Sequence, residues 1–283
     1  MKQPRIKKGF RSAMISYIVL IIASIFLAGP FIIILFASLK GQQEIMHSTS
    51  TIFPERIQFF WYRSVLSQTD FLLFIKNSVG YASMATVLGL VISSLAAYAI
   101  TRHTRKIQKV LTRSIILTYM FPQILLAIPY YLMVSKLGLV DSVPGLLMAY
   151  MSFTVPFCTY LMVGYFKSLP KDIEEAAHID GLSRTGTFFR ISLPLVAPGL
   201  VATAIFAFIN AWNEFLFSLL ILSSRKKQTV GVGLYSLMGG GSTSTLQWGD
   251  KAAACVLVVV PSLIFFSIIQ KSIAAGLTSG AIK

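Results

Sequence analysis

Six apolar runs, each close to or above the ~20 residues a helix needs to cross ~30 Å of hydrocarbon, constrain this chain more than any other feature. They cover roughly residues 13–39, 73–100, 112–135, 143–166, 195–222 and 252–270. No water in a bilayer satisfies backbone N–H and C=O groups, so an open chain crosses it only as helix. The expected fold class is an all-α membrane protein with six transmembrane helices. A charged fraction of 12% agrees, since soluble domains carry roughly twice that. The first run is too long for a signal sequence, contains Pro30 and precedes no A-x-A site, so it reads as an anchor.

The charge balance reflects the same layout. Net charge is +15, from 25 Lys and Arg against 10 Asp and Glu. A nucleic-acid surface would gather that charge in a patch; here it lies in short loops beside apolar spans. The expected partner is the lipid bilayer, with no nucleic acid. If the N-terminus is cytosolic, 16 of the 25 basic residues fall on inner segments and 9 on outer ones, which favours cytosolic N- and C-termini. The run Arg225-Lys226-Lys227 is the main exception.

Little points to catalysis. Cys158 and Cys255 lie in apolar spans, which gives a disulfide no support, and His47, His103 and His178 sit in separate loops without metal-ligand spacing. No G-x-x-x-x-G-K-[ST] phosphate loop occurs, and Met238-Gly239-Gly240-Gly241-Ser242 reads as a flexible turn. Glu214 is alone among ionisable residues in lying deep in a span and has no His, Asp or Ser-Lys partner there. No catalytic residue, metal or bound cofactor is expected.

A charge in the membrane costs about 3 kcal/mol, so Glu214 should face the protein interior. Asn210, Asn213 and Glu214 stand at i, i+3 and i+4, one face of a continuous helix in the outer half of the fifth span. That face suits either a cavity for hydroxyl groups or hydrogen bonding between helices. In the third span Tyr119, Gln123 and Tyr130 share a face; aromatic faces suit sugar rings, and Tyr130 and Tyr131 equally fit an interfacial belt. Pro122 and Pro129 should kink this helix. Ser83, Thr86, Gly89, Ser93, Ser94 and Ala97 in the second span read as a packing stripe. The glycine-rich outer loop 223–251 reads as a surface loop, with the basic run 225–227 available to an acidic partner.

Between the fourth and fifth spans lies a water-soluble stretch with ordered helix signals. Pro170 suits a first helical turn, and Asp172, Glu174 and Glu175 place negative charge near that helix's N-terminus. Gly181 suits the left-handed position that ends a helix. Ile173, Ala176, Ala177 and Asp180 form a small, mostly apolar face open to another protein. A second short helix from Ser183 to Arg190 should expose Phe188 and Phe189, with Pro194 opening the fifth span. A helix lying on lipid headgroups would be basic; residues 170–181 hold four acids and one lysine.

Within this stretch, Glu175-Ala176-Ala177, Gly181, Ile191, Leu193 and Pro194 spell EAA-x3-G-x9-I-x-L-P. This resembles the signature loop of the membrane subunits of binding-protein-dependent ABC importers. Ala211-Trp212-Asn213-Glu214-Phe215-Leu216 and the tail Gly276 to Lys283 are similar to the carbohydrate-type, maltose-like permeases, and the likeness extends over roughly residues 70–283. Small residues at Thr185 and Gly186 depart from the bulky aromatic that is frequent there.

The resemblance implies a non-enzymatic permease subunit in a bacterial or archaeal inner membrane. It implies a second homologous permease, two cytosolic ATPase subunits that bind the ATP and magnesium, and an extracytoplasmic sugar-binding protein. Glu174, Glu175, Ala176, Ala177, Asp180, Gly181, Ile191, Leu193 and Pro194 would form the ATPase-coupling segment, and Tyr119, Gln123, Tyr130, Asn210, Asn213 and Glu214 the candidate substrate pathway. Residues 1–72 would supply a cytosolic segment, the first anchor and an outer loop. Residues 73–283 would form a five-helix core with coupling loop 167–194 and C-terminal tail 271–283. Alternatives are an importer of glycerol-phosphate esters, amino acids or polyamines, and a standalone ion-coupled transporter. The latter predicts inverted repeats and midplane acids, of which only Glu214 is present.

Overall fold

The computed structural model describes residues 6–46, 52–240 and 246–281, and no strand occurs among them. The helices are α1 (Ile6–Ala37), α2 (Gln42–Met46), α3 (Phe60–Gln68), α4 (Phe71–Thr101), α5 (Arg105–Tyr119), α6 (Gln123–Lys136), α7 (Val143–Lys167), α8 (Lys171–Ile179), α9 (Arg184–Thr187), α10 (Leu193–Leu195), α11 (Ala197–Trp212), α12 (Leu216–Ile221), α13 (Val230–Leu237) and α14 (Trp248–Ala281). Their contacts divide the chain into two compact units, residues 1–69 with 237–259 and residues 70–236 with 260–283.

In the first unit, the apolar side chains of α1 from Ala13 to Ala37 are nearly all exposed, as a helix in contact with lipid or another subunit requires. Its far end is tied down by polar contacts. The Trp61 indole donates to the Lys40 carbonyl at 2.7 Å, and the Ser38 and Tyr62 hydroxyls pair at 2.6 Å. Gly249 lies flat on Trp61; a Cβ there would come within 2.2 Å of the ring.

The second unit is built on α4, α7 and α11. Small residues let α4 and α7 approach closely: a Cβ on Gly89 would meet the Thr154 methyl at 2.6 Å. Of the expected stripe, Thr86, Gly89, Ser93, Ser94 and Ala97 are buried and Ser83 is exposed. Gly199 admits α11 against α7, since its Cβ would lie 2.3 Å from the Tyr165 ring. Cys158 and Cys255 are free thiols.

Among the described residues four helices are long and apolar enough to cross a membrane alone, and two bent pairs bring the number to six if each pair is one span. The third apolar run is one such pair: α5 and α6 meet at 87°. Pro122 has no N–H to continue the helix and pushes Phe121 out of helical geometry, so the expected kink becomes a break.

The fifth run departs further from a continuous helix. The segment from Arg184 to Leu195 meets α11 at 77°, so the long helix of this run begins at Ala197, after Val196, rather than at Pro194. α11 then stops at Trp212, and α12 restarts at Leu216. Asn213 and Glu214 therefore do not sit on one uninterrupted helix face.

Two further expectations are corrected. Phe188, the first residue of a π-helical turn over Phe188–Ser192, is buried in a cluster with Ala97, Ile100, Met162, Val163, Phe166 and Val196, because the chain here packs back on α4 and α7, where its ring meets Tyr98 at 4.9 Å and Phe166 at 6.2 Å; Phe189 is exposed. The segment after the fifth run is not simply a surface loop. α13 packs on α4: the Val230 amide donates to the Ser78 hydroxyl at 2.7 Å, and Gly233 abuts the Phe74 ring. Gly241 and Ser242 of the glycine turn, and His47, lie outside the described residues.

Candidate functional site

The two span breaks converge. Tyr119 and Gln123 flank the gap between α5 and α6; Asn213, Glu214 and Phe215 form the gap between α11 and α12. Together with Asn210, Phe153 and Leu216 they line a cavity of about 320 Å³. Non-helical backbone at membrane depth persists only where protein buries it or where it borders a cavity. Five of the six residues expected to form a pathway therefore share one site. Tyr130 does not: its ring packs edge-on against Phe217, with centroids 5.6 Å apart. Phe153 has no polar signal in the sequence and reaches the site only through tertiary packing.

Glu214 has a local structural role. Its carboxylate accepts from the Phe217 amide at 2.6 Å, the Ser218 amide at 3.1 Å and the Ser218 hydroxyl at 2.9 Å. These are the orphan donors at the start of α12, and Glu214 caps them as an Asp or Ser would. The Ser218 hydroxyl also pairs with the Tyr150 hydroxyl at 2.8 Å, tying the restart of the span to α7. Glu214 is buried, whereas Tyr119, Gln123, Asn210 and Asn213 are exposed to the cavity. Hydrogen-bonding capacity toward a bound molecule therefore rests on those four side chains.

At the C-terminal end of α4 lies the polar loop. α8 starts after Pro170, carries Asp172 and Glu174 in its first turn, and closes on Gly181 at φ +86°. The Leu182 amide donates to the Ala177 carbonyl at 3.0 Å and the Gly181 amide to the His178 carbonyl at 3.1 Å. This paired closure satisfies the last carbonyls and needs a left-handed residue, so Gly181 stands where its sequence context predicted. Ser183 then caps α9 by accepting from the Gly186 amide at 3.2 Å.

Adjacent residues of α8 point in opposite directions. Glu175, Ala176, Ile179 and Asp180 are exposed; Glu174 and Ala177 are buried within the chain, so Ala177 lies off the outward face. Ile191 and Leu193 are half-buried, and Pro194 is exposed. The Glu174 carboxylate forms a forked ion pair with Arg102, including Nε at 2.6 Å, and accepts from the Ser192 hydroxyl at 2.7 Å. Tyr98 stands beside it, its ring 4.7 Å from the Arg102 guanidinium and its hydroxyl 3.4 Å from the carboxylate. Burial raises the Glu174 carboxyl, but Arg102 and the Ser192 hydroxyl outweigh it and hold the group below the usual carboxylate range. Both Glu174 and the exposed Glu175 line an open groove of about 520 Å³ with His178, Arg184, His103 and Arg102. His103 and His178 share this groove, but no group of three metal-ligating side chains occurs among the described residues.

The far end of this unit is closed by a second charged cluster. Asp141, at φ +56°, accepts from the Ser223 and Ser224 amides and from Lys227, and Arg225 pairs with Asp70 at 2.7 Å. The Ser224 hydroxyl and amide, then Lys227, hold the Asp141 carboxyl far below its ordinary range. Two of the three cations in the basic run are thus engaged within the chain, leaving Lys226 exposed.

Broken spans around a polar cavity, joined to an ordered amphipathic loop, define an integral membrane transport component. The chain belongs to the family described as binding-protein-dependent transport system inner membrane component, whose model matches residues 85–279. It is 36% identical to the trehalose/maltose transport system permease protein MalG of Thermococcus litoralis over 279 residues, covering 96% of this chain and 99% of that protein. It is 36% identical to the sulfoquinovosyl glycerol transport system permease protein SmoH of Agrobacterium fabrum over 254 residues, covering 90% of this chain and 88% of the relative. A crystal structure of a bacterial ABC transporter that imports the acidic polysaccharide alginate has a chain of the same fold. Its TM-score is 0.79 at 22% identity, over 96% of this chain and 99% of that one. Membership makes this chain a multi-pass inner-membrane component of a transport system that depends on a binding protein.

Proposed function

We propose that this chain is one of two permease subunits lining the carbohydrate pathway of an ATP-driven importer. It spans the membrane six times with both termini in the cytosol. Residues 73–283 supply the five-helix core and residues 1–72 the first anchor and outer loop. Loop 167–194 docks on a cytosolic ATPase subunit, which binds ATP and magnesium; a second permease and an extracytoplasmic binding protein complete the system.

The observation that carries the cargo reading is the cavity where the span breaks meet. Tyr119 offers a ring face and a hydroxyl, and Gln123, Asn210 and Asn213 offer amides, a lining suited to a hydroxylated, uncharged molecule. Among the described residues no Lys or Arg lines it to recognise a phosphate ester, and the Glu214 oxygens are engaged by α12, which disfavours a polyamine. A relative named for trehalose/maltose transport supports the same class.

The test is reconstitution in proteoliposomes with the second permease, the ATPase pair and the binding protein. Uptake of trehalose or maltose should require all components and external binding protein. Uptake by the single purified chain driven by a proton or sodium gradient would overturn the reading.

A further inference from the structure

We infer that Glu174 and Arg102 form a strut that makes α8 rigid with the second and fifth spans, so that two neighbouring glutamates divide the coupling work: Glu175 outward to the ATPase, Glu174 inward to the permease. This rests on the reading of loop 167–194 as the ATPase-coupling element. It assigns to Arg102 and Ser192 positioning roles that no sequence motif indicated.

α8 is nine residues long, too short to be a stable helix without tertiary contacts. It hangs between Pro170 and the left-handed Gly181, two joints about which it could swing. The Glu174 side chain, in the first turn of α8, opposes this. The Glu174 carboxylate is held by Arg102, the residue that ends α4, and by Ser192, the last residue of the π-helical turn leading to α11. The π turn adds one residue per turn and rotates the facing of the residues after it by about 100°, which brings Ser192 to the carboxylate.

The strut sits in a packed frame. Tyr98 stacks under the Arg102 guanidinium and meets Phe188 at 4.9 Å and Phe166 at 5.6 Å, so α4, α7 and the π turn share one aromatic contact. Ala177, one turn along α8, is buried on the same face. A bidentate, largely buried ion pair in such a frame has one geometry, unlike an exposed pair that samples many. A displacement of α8 by a partner is therefore passed to α4 and to the start of the fifth span together. Without the pair, α8 can pivot while the spans stay still.

A cargo-independent assay tests this. In the full complex, with Cys158 and Cys255 replaced by Ala, Asn213→Cys reports access to the cavity through labelling by a membrane-impermeant thiol reagent. The nucleotide-free and vanadate-trapped states are compared. With Glu174 and Arg102 intact, trapping should change the labelling rate by about tenfold, within the usual range of coupling between sites. In Glu174→Gln and in Arg102→Met the ATPases should remain bound and still trap nucleotide, but the labelling change should shrink to within about twofold. The exchanged pair Glu174→Arg with Arg102→Glu should restore most of it.

Undiminished state-dependent labelling in both single variants would overturn the strut. If a single variant fails to assemble, the exchanged pair decides. Restored assembly and restored labelling change support the strut; failure of the exchanged pair in either makes the contact a folding one only. Failure of the underlying reading looks different: Glu175→Lys would then leave ATPase retention and the labelling change untouched.

Discussion

Replacing Glu214 with Ala should destabilise the permease more than it affects any direct contact with cargo. The substitution strips the cap from α12. It leaves the Phe217 and Ser218 amides, bonded at 2.6 and 3.1 Å, without an acceptor in a buried site. Each buried unsatisfied donor costs about 1–3 kcal/mol, and the Ser218 hydroxyl retains Tyr150 as a partner, so the expected loss is about 2–6 kcal/mol. Glu214→Gln keeps one accepting oxygen but turns its NH2 toward the Ser218 donors, a single conflict of about 1–3 kcal/mol. The assay is thermal unfolding of the assembled complex in detergent, followed by size-exclusion chromatography, with Asn213→Ala as comparison. The order of melting temperature should be wild type, Gln, then Ala. Asn213→Ala, whose side chain faces the cavity, should melt as wild type and transport less. If Glu214→Ala melts as wild type and fails only in transport, the capping argument is wrong and the carboxylate acts on cargo.

Three other outcomes are expected. Gly199→Ala forces a methyl to within about 2.3 Å of the Tyr165 ring, and overpacking at about 1–3 kcal/mol should lower the yield of folded complex, while Gly164→Ala, with open space around it, should not. A cysteine at Ser183 should react with an impermeant reagent only after permeabilisation, and one at Lys226 without it; the reverse pattern would refute the cytosolic placement of the loop. The folded Glu174 carboxyl lies below its unfolded value, so its contribution to holding α8 is full above roughly pH 4.3 and is lost as pH falls through the folded value. A fluorophore at Asp180→Cys should therefore report constant α8 docking from pH 8 to about 5; release near neutrality would contradict the assigned ion pair.

The membrane class and the two ends of α8 were legible because each has a local cause. Hydrocarbon thickness sets the run length, and Pro170, the early acids and Gly181 mark the ends of α8 within a single stretch of chain. The break at Pro122 was half legible: a proline announces a kink, but its size depends on what fills the gap. The break after Trp212 was not legible, because no Gly or Pro marks it. Glu214 permits it by folding back on the amides ahead of it, and a lone acid in an apolar run reads first as a cavity residue. The partner of Glu174 was likewise hidden. Arg102 lies 72 positions away and, among the basic residues after the second span, carries no sign that it turns inward. Phe188 was expected outside because a short helix in a polar loop reads as solvent-facing; the Tyr98 and Phe166 rings that cover it lie on distant stretches of chain.

The central claim is that loop 167–194 converts ATPase motion into movement of the spans. Its most direct test is the amount of sugar transported per ATP hydrolysed by the reconstituted complex carrying Glu175→Lys or Gly181→Asp. Glu175 is exposed and the Gly181 Cβ position is open, so neither change crowds this chain's own core. The Gly181 variant adds left-handed strain of about 1–2 kcal/mol at the end of α8. The account predicts that the permease folds and engages loaded binding protein, while the ATPases are retained less well or hydrolyse ATP with little uptake. Wild-type retention and a wild-type ratio of uptake to hydrolysis in both variants would contradict it.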